Sequence, residues 1–345
     1  MAMIRHSNEP KRLKEVVKRF SAITIAVVGD LVADEFVFGE ISRVSREAPV
    51  LILKHRERTV VPGGGANAIC NLASLGVNVL PVGVVGQDEA GRLLRDEFRR
   101  RGVPLDGILQ DKSYTTVTKT RILAGMTHTS RQQVVRIDRE PEVEPSALAK
   151  RGLVRSLKKY ARKADALLVS DYGYGAASPE ILNAILSGAE NPLPVVLDSR
   201  YRILEYSGVT AATPNEPEVE AALGVKIGND WRALRAAGEK MMSRMKLQSL
   251  IITRGRDGMV AFETKQEPVD IPIFGSDQVV DVTGAGDTVI ATFAAGFAAG
   301  ANTLEAAQLA NYAGGIVVMK RGTATVSQEE LLDALDQAPP ATRKH

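Results

Sequence analysis

The chain has 345 residues, of which 44% are hydrophobic and 25% charged, so it can form one large globular domain or two small ones. Its single cysteine, Cys70, excludes an internal disulfide framework, and its four scattered histidines show no zinc-ligand spacing. The 44 Lys and Arg against 41 Asp and Glu leave a formal charge of only +3, which argues against a nucleic-acid partner.

Residues 1–22 form a predicted N-terminal extension, in which 10–20 interleave basic and apolar side chains as an amphipathic helix does. An export signal needs an unbroken apolar core, and this segment has none. The most apolar long run, 289–301, is too short and too rich in Ala and Gly to span a bilayer. We therefore expect a cytoplasmic protein with no membrane partner.

From residue 23 onward, short apolar runs alternate with helix-like segments. The first run, 23–28, is β-branched, and 67–75 and 89–101 follow as helices. Further strands are predicted at 166–170, 195–198, 209–213 and 250–253, with helical segments between them. The alternation predicts an α/β fold, in which a mostly parallel sheet carries helices on both faces. Ligands of such sheets bind at the carboxyl ends of the strands. The polar residues at or just past those ends are Asp30, Asp171, Asp198, Asn215 and Arg254.

Some stretches interrupt this pattern, because they carry no helix signal and alternate Thr and Val with other residues. They are 50–61, 115–123 and 133–137. Their composition predicts antiparallel strands that stand apart from the main sheet. We expect one domain over 23–338 with an inserted lid, whose two segments span about 34–61 and 114–138. Residues 339–345 form a tail.

The segment 281–288 reads Asp-Val-Thr-Gly-Ala-Gly-Asp-Thr, which predicts a glycine turn that opens a helix. N–H groups at a helix start lack partners, and the small residues Gly284, Ala285 and Gly286 let an anionic oxygen come close to them. Asp287 would repel that anion, unless it accepts a proton from a hydroxyl that receives a phosphoryl group. The alternative is a carboxylate at a helix N-terminus that only adds stability.

A second glycine-rich segment, 62–68, reads Pro-Gly-Gly-Gly-Ala-Asn-Ala. Gly63 and Gly64 let backbone approach a ligand, and Asn67 can both donate and accept hydrogen bonds. Upstream, Asp30 and Asp34 follow the first strand. Carboxylates accept paired hydrogen bonds from vicinal hydroxyls, which suits a sugar, although a turn or a helix cap explains these residues as well.

These two segments, with Leu-Gly at 75–76 and Gly-Val-Val-Gly-Gln-Asp at 83–88, resemble the signatures of the ribokinase-like (PfkB) family of sugar kinases. The likeness extends from about residue 23 to about residue 335. It implies transfer of a phosphoryl group from ATP, with Mg²⁺, to a small-molecule sugar or sugar phosphate. Asp287 would then be the base, and the N–H groups of Ala285, Gly286 and Asp287 would stabilise the moving phosphoryl group. A lid over the sugar, often forming a homodimer, is also implied.

The resemblance assigns further residues. Asn215 and Glu218 match an Asn-x-x-Glu element that organises hydrated Mg²⁺, although both residue types also favour helix starts as caps. Asp281 and Thr283 match oxygen ligands of a monovalent cation, such as K⁺, in several members. The residues that match the nucleotide side are Thr253, Gly255, Gly258 and Asn311.

Within the family, 42–50, Ser-Arg-Val-Ser-Arg-Glu-Ala-Pro-Val, resembles a segment of D-glycero-β-D-manno-heptose 7-phosphate kinases. The other segments similar to that group are 118–121, 136–138, 169–172 and 322–327. A sugar phosphate needs cations beside the carboxylates that bind its ring. The candidates for the lid side of the sugar site are Arg43, Arg46, Lys119, Arg121 and Asp138. A charged lid surface is the alternative. The chain departs from the group at 198–200, which reads Asp-Ser-Arg where Asp-Pro-Lys is usual, and at Arg46, where Pro is usual.

We therefore expect a kinase that phosphorylates heptose 7-phosphate at the anomeric hydroxyl for lipopolysaccharide core synthesis, either alone or as the first half of a bifunctional enzyme. The alternatives are a fructokinase, ribokinase or 2-keto-3-deoxygluconate kinase type, or an inactive regulator that binds sugar or nucleotide. A P-loop kinase is excluded because the chain lacks Gly-x-x-x-x-Gly-Lys-[Ser/Thr]. A dinucleotide-binding dehydrogenase is excluded because no Gly-x-Gly-x-x-Gly follows the first strand.

Overall fold

The computed structural model describes residues 9–125, 131–187, 193–275, 280–320 and 322–337. The expected tail at 339–345 and the first eight residues of the expected N-terminal extension lie outside these ranges. The helices within them are α1 (Glu9–Lys18), α2 (Gly65–Ser74), α3 (Glu89–Arg100), α4 (Ala147–Ala161), α5 (Pro179–Leu186), α6 (Glu216–Leu223), α7 (Trp231–Met245), α8 (Ala285–Ala298), α9 (Thr303–Val318) and α10 (Gln328–Gln337).

The described residues form two separate sheets. The strands of the larger sheet are β1 (Thr24–Gly29), β4 (Asn78–Gly86), β5 (Ile108–Asp111), β8 (Ala166–Asp171), β9 (Val195–Ser199), β10 (Ala211–Ala212), β11 (Ser249–Thr253), β12 (Met259–Glu263) and β13 (Val269–Ile271). The strands of the smaller sheet, called the lid sheet below, are β2 (Leu31–Val44), β3 (Leu51–Gly64), β6 (Val117–Gly125) and β7 (Gln132–Arg139).

The larger sheet has the order β13-β12-β11-β10-β9-β8-β1-β4-β5. All neighbours from β5 to β11 pair in parallel, and β12 and β13 are antiparallel additions at one edge. The carboxyl ends of β1, β8, β9 and β11 therefore meet at one edge of the sheet, as the strand alternation predicts.

Helices cover both faces of this sheet. Alternate residues of β1 point to opposite sides, because Ile25 and Val27 pack in one core and Ala26 and Val28 in the other. The first core takes side chains from α1, α2, α3, α8, α9 and α10, and the second from α4, α5, α6 and α7. Burial on both faces explains why these strands read as continuous apolar runs.

The lid sheet has the order β3-β2-β6-β7. The stretches expected to be strands are β3, β6 and β7. The strand β2 was not predicted, since it follows β1 after a single residue, Asp30. The expectation of purely antiparallel pairing is wrong for one pair, because β2 and β6 run in parallel. The chain between β2 and β6 passes through α2, β4, α3 and β5. A long connection of this kind lets the second strand run in the same direction as the first.

Two local expectations also differ. The expected strand at 209–213 is only two residues long, and a single 3₁₀ turn (Ile203–Glu205) replaces the expected helix between β9 and β10. No helix among the described residues is long and apolar enough to cross a membrane.

Candidate active site

The turn before α8 depends on Gly284. Its φ is +79°, and a Cβ there would lie 2.5 Å from Asn67 Nδ2 and 2.8 Å from Thr323 Cγ2. Any side chain at this position would therefore be strained and would collide with its neighbours. Gly286 differs, because a Cβ at that position would have no atom within 4 Å. The space that a larger residue would fill at Gly286 is open to an incoming group.

Asp287 lies on the first turn of α8 and is only 3% exposed. The Tyr172 hydroxyl donates to its Oδ1 at 2.7 Å, and Asn67 Nδ2 donates to its Oδ2 at 3.1 Å. Burial raises the pKa of Asp287 to about 7, although both hydrogen bonds act in the opposite direction. A carboxylate with that pKa can accept a proton near neutral pH.

Backbone N–H groups adjoin this carboxylate. Ala285 donates its N–H to Val282 O at 3.2 Å, and its expected contact with a phosphoryl group stays a prediction. Thr288 donates to Gly284 O at 3.1 Å. In the described parts of the chain, the N–H groups of Gly286 and Asp287 have no hydrogen-bond acceptor. They are the donors that remain for an anion at this helix start.

The second glycine segment serves close packing within the protein. A Cβ on Gly63 would collide with Asp34 Oδ2, and one on Gly64, whose φ is +53°, would lie 3.2 Å from Tyr172 Cε2. These glycines therefore let Asp34 and Tyr172 approach the end of β3. Whether backbone here also contacts a sugar stays a prediction.

Asn67 is fully engaged by protein groups. Its Nδ2 also donates to Gly284 O at 3.2 Å, and its Oδ1 accepts from Asn71 Nδ2 at 3.1 Å. The expected contact between Asn67 and the sugar stays a prediction. In the structure Asn67 joins α2 to the turn of α8 and hydrogen-bonds Asp287.

Asp30 has a structural role in place of the predicted contact with the sugar. Its carboxylate is fully buried and accepts the N–H groups of Tyr172, Tyr174 and Ala176 at 2.8, 2.9 and 2.8 Å. A fourth N–H, from Ala177, lies at 3.3 Å. These bonds hold the loop 172–177 on Asp30, and they leave its carboxylate no exposed surface for a ligand.

Asp34 and two lid cations do lie at the site. Arg121 Nη1 forms an ion pair with Asp34 Oδ1 at 2.6 Å, and Thr323 Oγ1 donates to Asp34 Oδ2 at 3.1 Å. Lys119 Nζ lies 5.3 Å from the centre of the Tyr172 ring. Burial lowers the pKa of Lys119, and the neighbouring charges of Arg136 and Arg200 act in the same direction.

Of the remaining lid candidates, Asp138 lies beside these residues, and Arg43 and Arg46 do not. Asp138 lies opposite Lys119 in the β6–β7 register, but its carboxylate is held by Arg136, with Nε at 2.7 Å from Oδ1. Arg43 is exposed near the far end of β2 and pairs with Ile52. It lies nine residues beyond Asp34, or about 30 Å along the strand. The expectation that Arg43 clusters with Lys119 and Arg121 of the same chain is therefore wrong. Arg46, which follows Arg43 in the same exposed segment, does not join that cluster either.

Comparison with known proteins identifies the family. Residues 23–330 match the profile described as pfkB family carbohydrate kinase. The chain belongs to the pfkB family of carbohydrate kinases. The predicted resemblance is thereby confirmed, and it covers nearly all of the chain.

Several curated relatives share the name bifunctional protein HldE. The chain is 40% identical over 327 residues to the bifunctional protein HldE of Pelobacter propionicus and 38% identical over 329 residues to that of Geobacter sulfurreducens. These alignments cover 94% and 95% of this chain. The chain spans 66% of the length of these relatives.

Solved structures confirm the ribokinase-like fold. Ribokinase of Arabidopsis thaliana, complexed with ribose and ATP, superposes with a TM-score of 0.71 at 21% identity, covering 92% of this chain and 99% of its own. Phosphofructokinase-2 of Escherichia coli, in complex with potassium, has a TM-score of 0.71 at 15% identity, covering 91% and 98%.

The residues expected on the nucleotide side of this pfkB member lie at the carboxyl end of β11, in the turn after it, and in α9. Thr253 is the last residue of β11, and the turn that follows contains Gly255 and Gly258, with φ of +56° and +81°. Asn311 donates from Nδ2 to Pro272 O at 2.8 Å, so part of its amide is used within the protein. Their contacts with a nucleotide stay predictions.

Asn215 and Glu218 form the helix cap that was the alternative interpretation. Asn215 N–H donates to Glu218 Oε2 and Glu218 N–H donates to Asn215 Oδ1, both at 2.9 Å. Burial raises the pKa of Glu218, and it raises that of Asp198 well above the usual range, with Glu218 and Asp287 contributing. These two carboxylates and the Asn215 amide supply oxygen donors of the type that Mg²⁺ prefers.

Within the described ranges, no group of three or more His, Cys, Asp or Glu side chains is arranged to hold a metal directly. Asp281 Oδ1 accepts the N–H of Thr283 at 2.9 Å, and its Oδ2 accepts the N–H of Gly322 at 3.1 Å. Asp281 and Thr283 line a cleft of about 890 Å³, together with Arg121 and Thr323. Their predicted contact with a monovalent cation is not tested by this geometry.

Sequence reasoning assigned no role to some side chains that contact the predicted ones. Tyr172 donates to Asp287, Thr323 donates to Asp34, and Arg200 lies close enough to affect the pKa of Lys119. All three fall in or beside segments compared with the heptose kinases. Tyr172 also follows the carboxyl end of β8, which marked its position as relevant although not its hydroxyl as a partner of Asp287.

Proposed function

We propose that this chain transfers the γ-phosphoryl group of ATP to the anomeric hydroxyl of heptose 7-phosphate. The product would be heptose 1,7-bisphosphate, a precursor of ADP-heptose for the lipopolysaccharide core, made in the cytoplasm. Membership of the pfkB family supports the reaction class, and 38–40% identity to HldE proteins supports the acceptor. The likeness of segment 42–50 to heptose 7-phosphate kinases points to the same sugar.

The observation that carries the proposal is the buried Asp287 beside the N–H groups of Gly286 and Asp287. In the reaction, the acceptor oxygen forms a bond to the γ-phosphorus as its proton passes to the Asp287 carboxylate. The bond between that phosphorus and the bridging oxygen breaks, and ADP leaves. The two N–H groups stabilise negative charge on the phosphoryl oxygens, as preorganised donors do.

Two cations complete the proposal. Asn215 and Glu218 would hold Mg²⁺ through water, with Asp198 nearby, and the ion when bound would neutralise charge on the phosphate oxygens. The capping bonds use one oxygen of each side chain, Glu218 Oε2 and Asn215 Oδ1, so Glu218 Oε1 stays available. Asp281 and Thr283 are the proposed ligands of K⁺.

The phosphate at the far end of the sugar requires a cation near the ring, and Lys119 is the best-supported one. It is buried, it lies on the lid sheet, and it sits near Arg136 and Arg200. An anion among these three groups would relieve their mutual repulsion. A second acceptor class is favoured by one observation: Arg121 is already paired with Asp34, so one predicted phosphate ligand is occupied and a free hexose or ribose would fit as well.

We further propose that the lid sheet joins two copies of the chain. Large apolar side chains that are exposed on it are Val44, Val50, Leu51, Val134, Val135 and Ile137. Exposed apolar side chains on the lid sheet support an interaction surface there.

The test is a panel of acceptors, with ATP consumption as the readout. We expect heptose 7-phosphate to exceed free fructose, ribose and 2-keto-3-deoxygluconate by at least about tenfold in kcat/KM, since a charge-assisted contact contributes about 1.5–3 kcal/mol. Lys119→Met should reduce this preference, and the exposed Arg43→Ala should leave it within about twofold. Equal turnover of a free sugar would overturn the heptose assignment and leave the kinase assignment standing.

A further inference from the structure

The loop 172–177 is held rigidly behind the base. Three of its N–H groups donate to the buried Asp30 carboxylate at 2.8 to 2.9 Å. Charge-assisted hydrogen bonds of this kind are the strong ones in proteins. The backbone of Tyr172 is therefore fixed relative to β1, which carries Asp30 at its carboxyl end.

The side chain of Tyr172 is confined as well. Its ring packs against Gly64, where a Cβ would lie 3.2 Å from Cε2, and Lys119 Nζ lies 5.3 Å from the ring centre. Its hydroxyl reaches Asp287 Oδ1 at 2.7 Å, the shorter of the two side-chain hydrogen bonds to that carboxylate. A ring held on two sides can present its hydroxyl in one place only.

We propose that Tyr172 is a positioning residue for Asp287, whose carboxylate it holds in one orientation and whose ionised form it favours before the acceptor hydroxyl arrives. This role rests on the proposed function, in which Asp287 is the base. Asn67 supplies the second donor, so the carboxylate is fixed through both oxygens.

The electrostatics agree with a donor role. Burial raises the pKa of Tyr172 well above its usual range, and the nearby Asp287 charge raises it further, so the phenol stays protonated and can donate to the Asp287 carboxylate. A donor to a carboxylate favours the ionised form of that carboxylate. The charged or titratable groups that face Asp287 are Tyr172, Asp34 on β2, Lys119 on β6 and Asp198 on β9.

The experiment compares Tyr172→Phe with Tyr174→Phe. Tyr174 lies in the same loop, but its hydroxyl donates to the exposed Glu140 at 2.8 Å, away from Asp287. The carboxyl ¹³C resonance of Asp287, assigned by its loss in Asp287→Asn, would be titrated in the free protein. Tyr172→Phe should raise the midpoint by about one pH unit or more, and Tyr174→Phe should leave it unchanged.

Kinetics supply a second readout. Tyr172→Phe should lower kcat by about 10–100-fold, with little change in KM for ATP. It should also move the acid limb of the pH profile of kcat/KM to higher pH. An unshifted ¹³C midpoint would overturn the positioning role, and so would an insoluble Tyr172→Phe protein, because loss of one hydroxyl from an orienting residue leaves the fold intact. A wild type without activity on any sugar would defeat the proposed function, yet the titration would still decide whether Tyr172 controls Asp287.

Discussion

Replacing Asp287 by Asn should stabilise the protein above neutral pH and remove most of its activity. The folded-state pKa of Asp287 is about 7, against an ordinary value of 3.8, so the folded chain binds more protons than the unfolded chain between those values. Stability therefore falls as pH rises through that window, and the full cost is present above pH 7. At about 1.4 kcal/mol for each pH unit, burial of the ionised group costs up to about 4 kcal/mol.

Asn keeps the shape of Asp287 and cannot ionise, so the variant avoids this cost. Rearrangement of the hydrogen bonds with Tyr172 and Asn67 should cost about 1–2 kcal/mol of stability. The net gain in the free energy of unfolding is then about 2–3 kcal/mol at pH 8. For a chain of 345 residues this corresponds to a rise in Tm of about 3–4 °C. At pH 4.5 the gain should vanish, because the wild-type carboxyl is then protonated in the folded state.

The assay is calorimetric or fluorimetric melting of both proteins at pH 4.5 and pH 8, with kcat measured at pH 8. We expect kcat to fall by about 10²–10⁴ with little change in ATP binding. A variant with the same Tm difference at both pH values would refute the electrostatic argument. Retention of more than a third of the wild-type kcat would refute the assignment of Asp287 as base.

Two further predictions follow from the glycine turn and the helix cap. Gly284→Ala should lower the free energy of unfolding by about 2–4 kcal/mol, because its φ is positive and its Cβ would meet Asn67. Gly286→Ala should keep the melting temperature and lower kcat. Denaturant titration and steady-state kinetics separate the two effects, and equal stability losses in the two variants would contradict the distinction. Glu218→Gln retains an acceptor for the Asn215 N–H, so it should leave Tm nearly unchanged. It should raise the Mg²⁺ concentration that gives half-maximal rate. A large loss of stability with an unchanged Mg²⁺ response would mean that Glu218 serves only as a helix cap.

Five strands of the main sheet, β1 and β8 to β11, and the turn at α8 could be predicted from the sequence, because their signals are local. The strands β4, β5, β12 and β13 were not predicted. Buried parallel strands appear as apolar runs, and a positive φ at Gly284 leaves glycine as the residue that fits. β2 could not be recognised in the same way. Its residues form neither a continuous apolar run nor a regular alternation, and its partner β6 lies more than seventy residues away in the chain.

Side-chain roles were harder to predict than positions. Asp30 and Asp34 are the same residue type, four residues apart, and both suit a sugar on chemical grounds. What separates them is the loop 172–177, whose N–H groups occupy Asp30 and leave Asp34 to Arg121 and Thr323. That loop is about 140 residues distant, so no local pattern near Asp30 reports it. A separation of 115 residues likewise hid the contact between Tyr172 and Asp287.

The occupied state of Asp34 has a consequence for selectivity. Both carboxylate oxygens already accept hydrogen bonds, one from the guanidinium of Arg121 and one from the hydroxyl of Thr323. A sugar that reaches Asp34 must therefore exchange its hydroxyls for existing donors, and the exchange releases little net free energy unless the incoming geometry matches both oxygens. A poorly matched acceptor leaves a buried carboxylate short of donors, which carries a penalty beyond the lost contact. Discrimination among sugars at this position is accordingly governed by competition with the protein's own side chains.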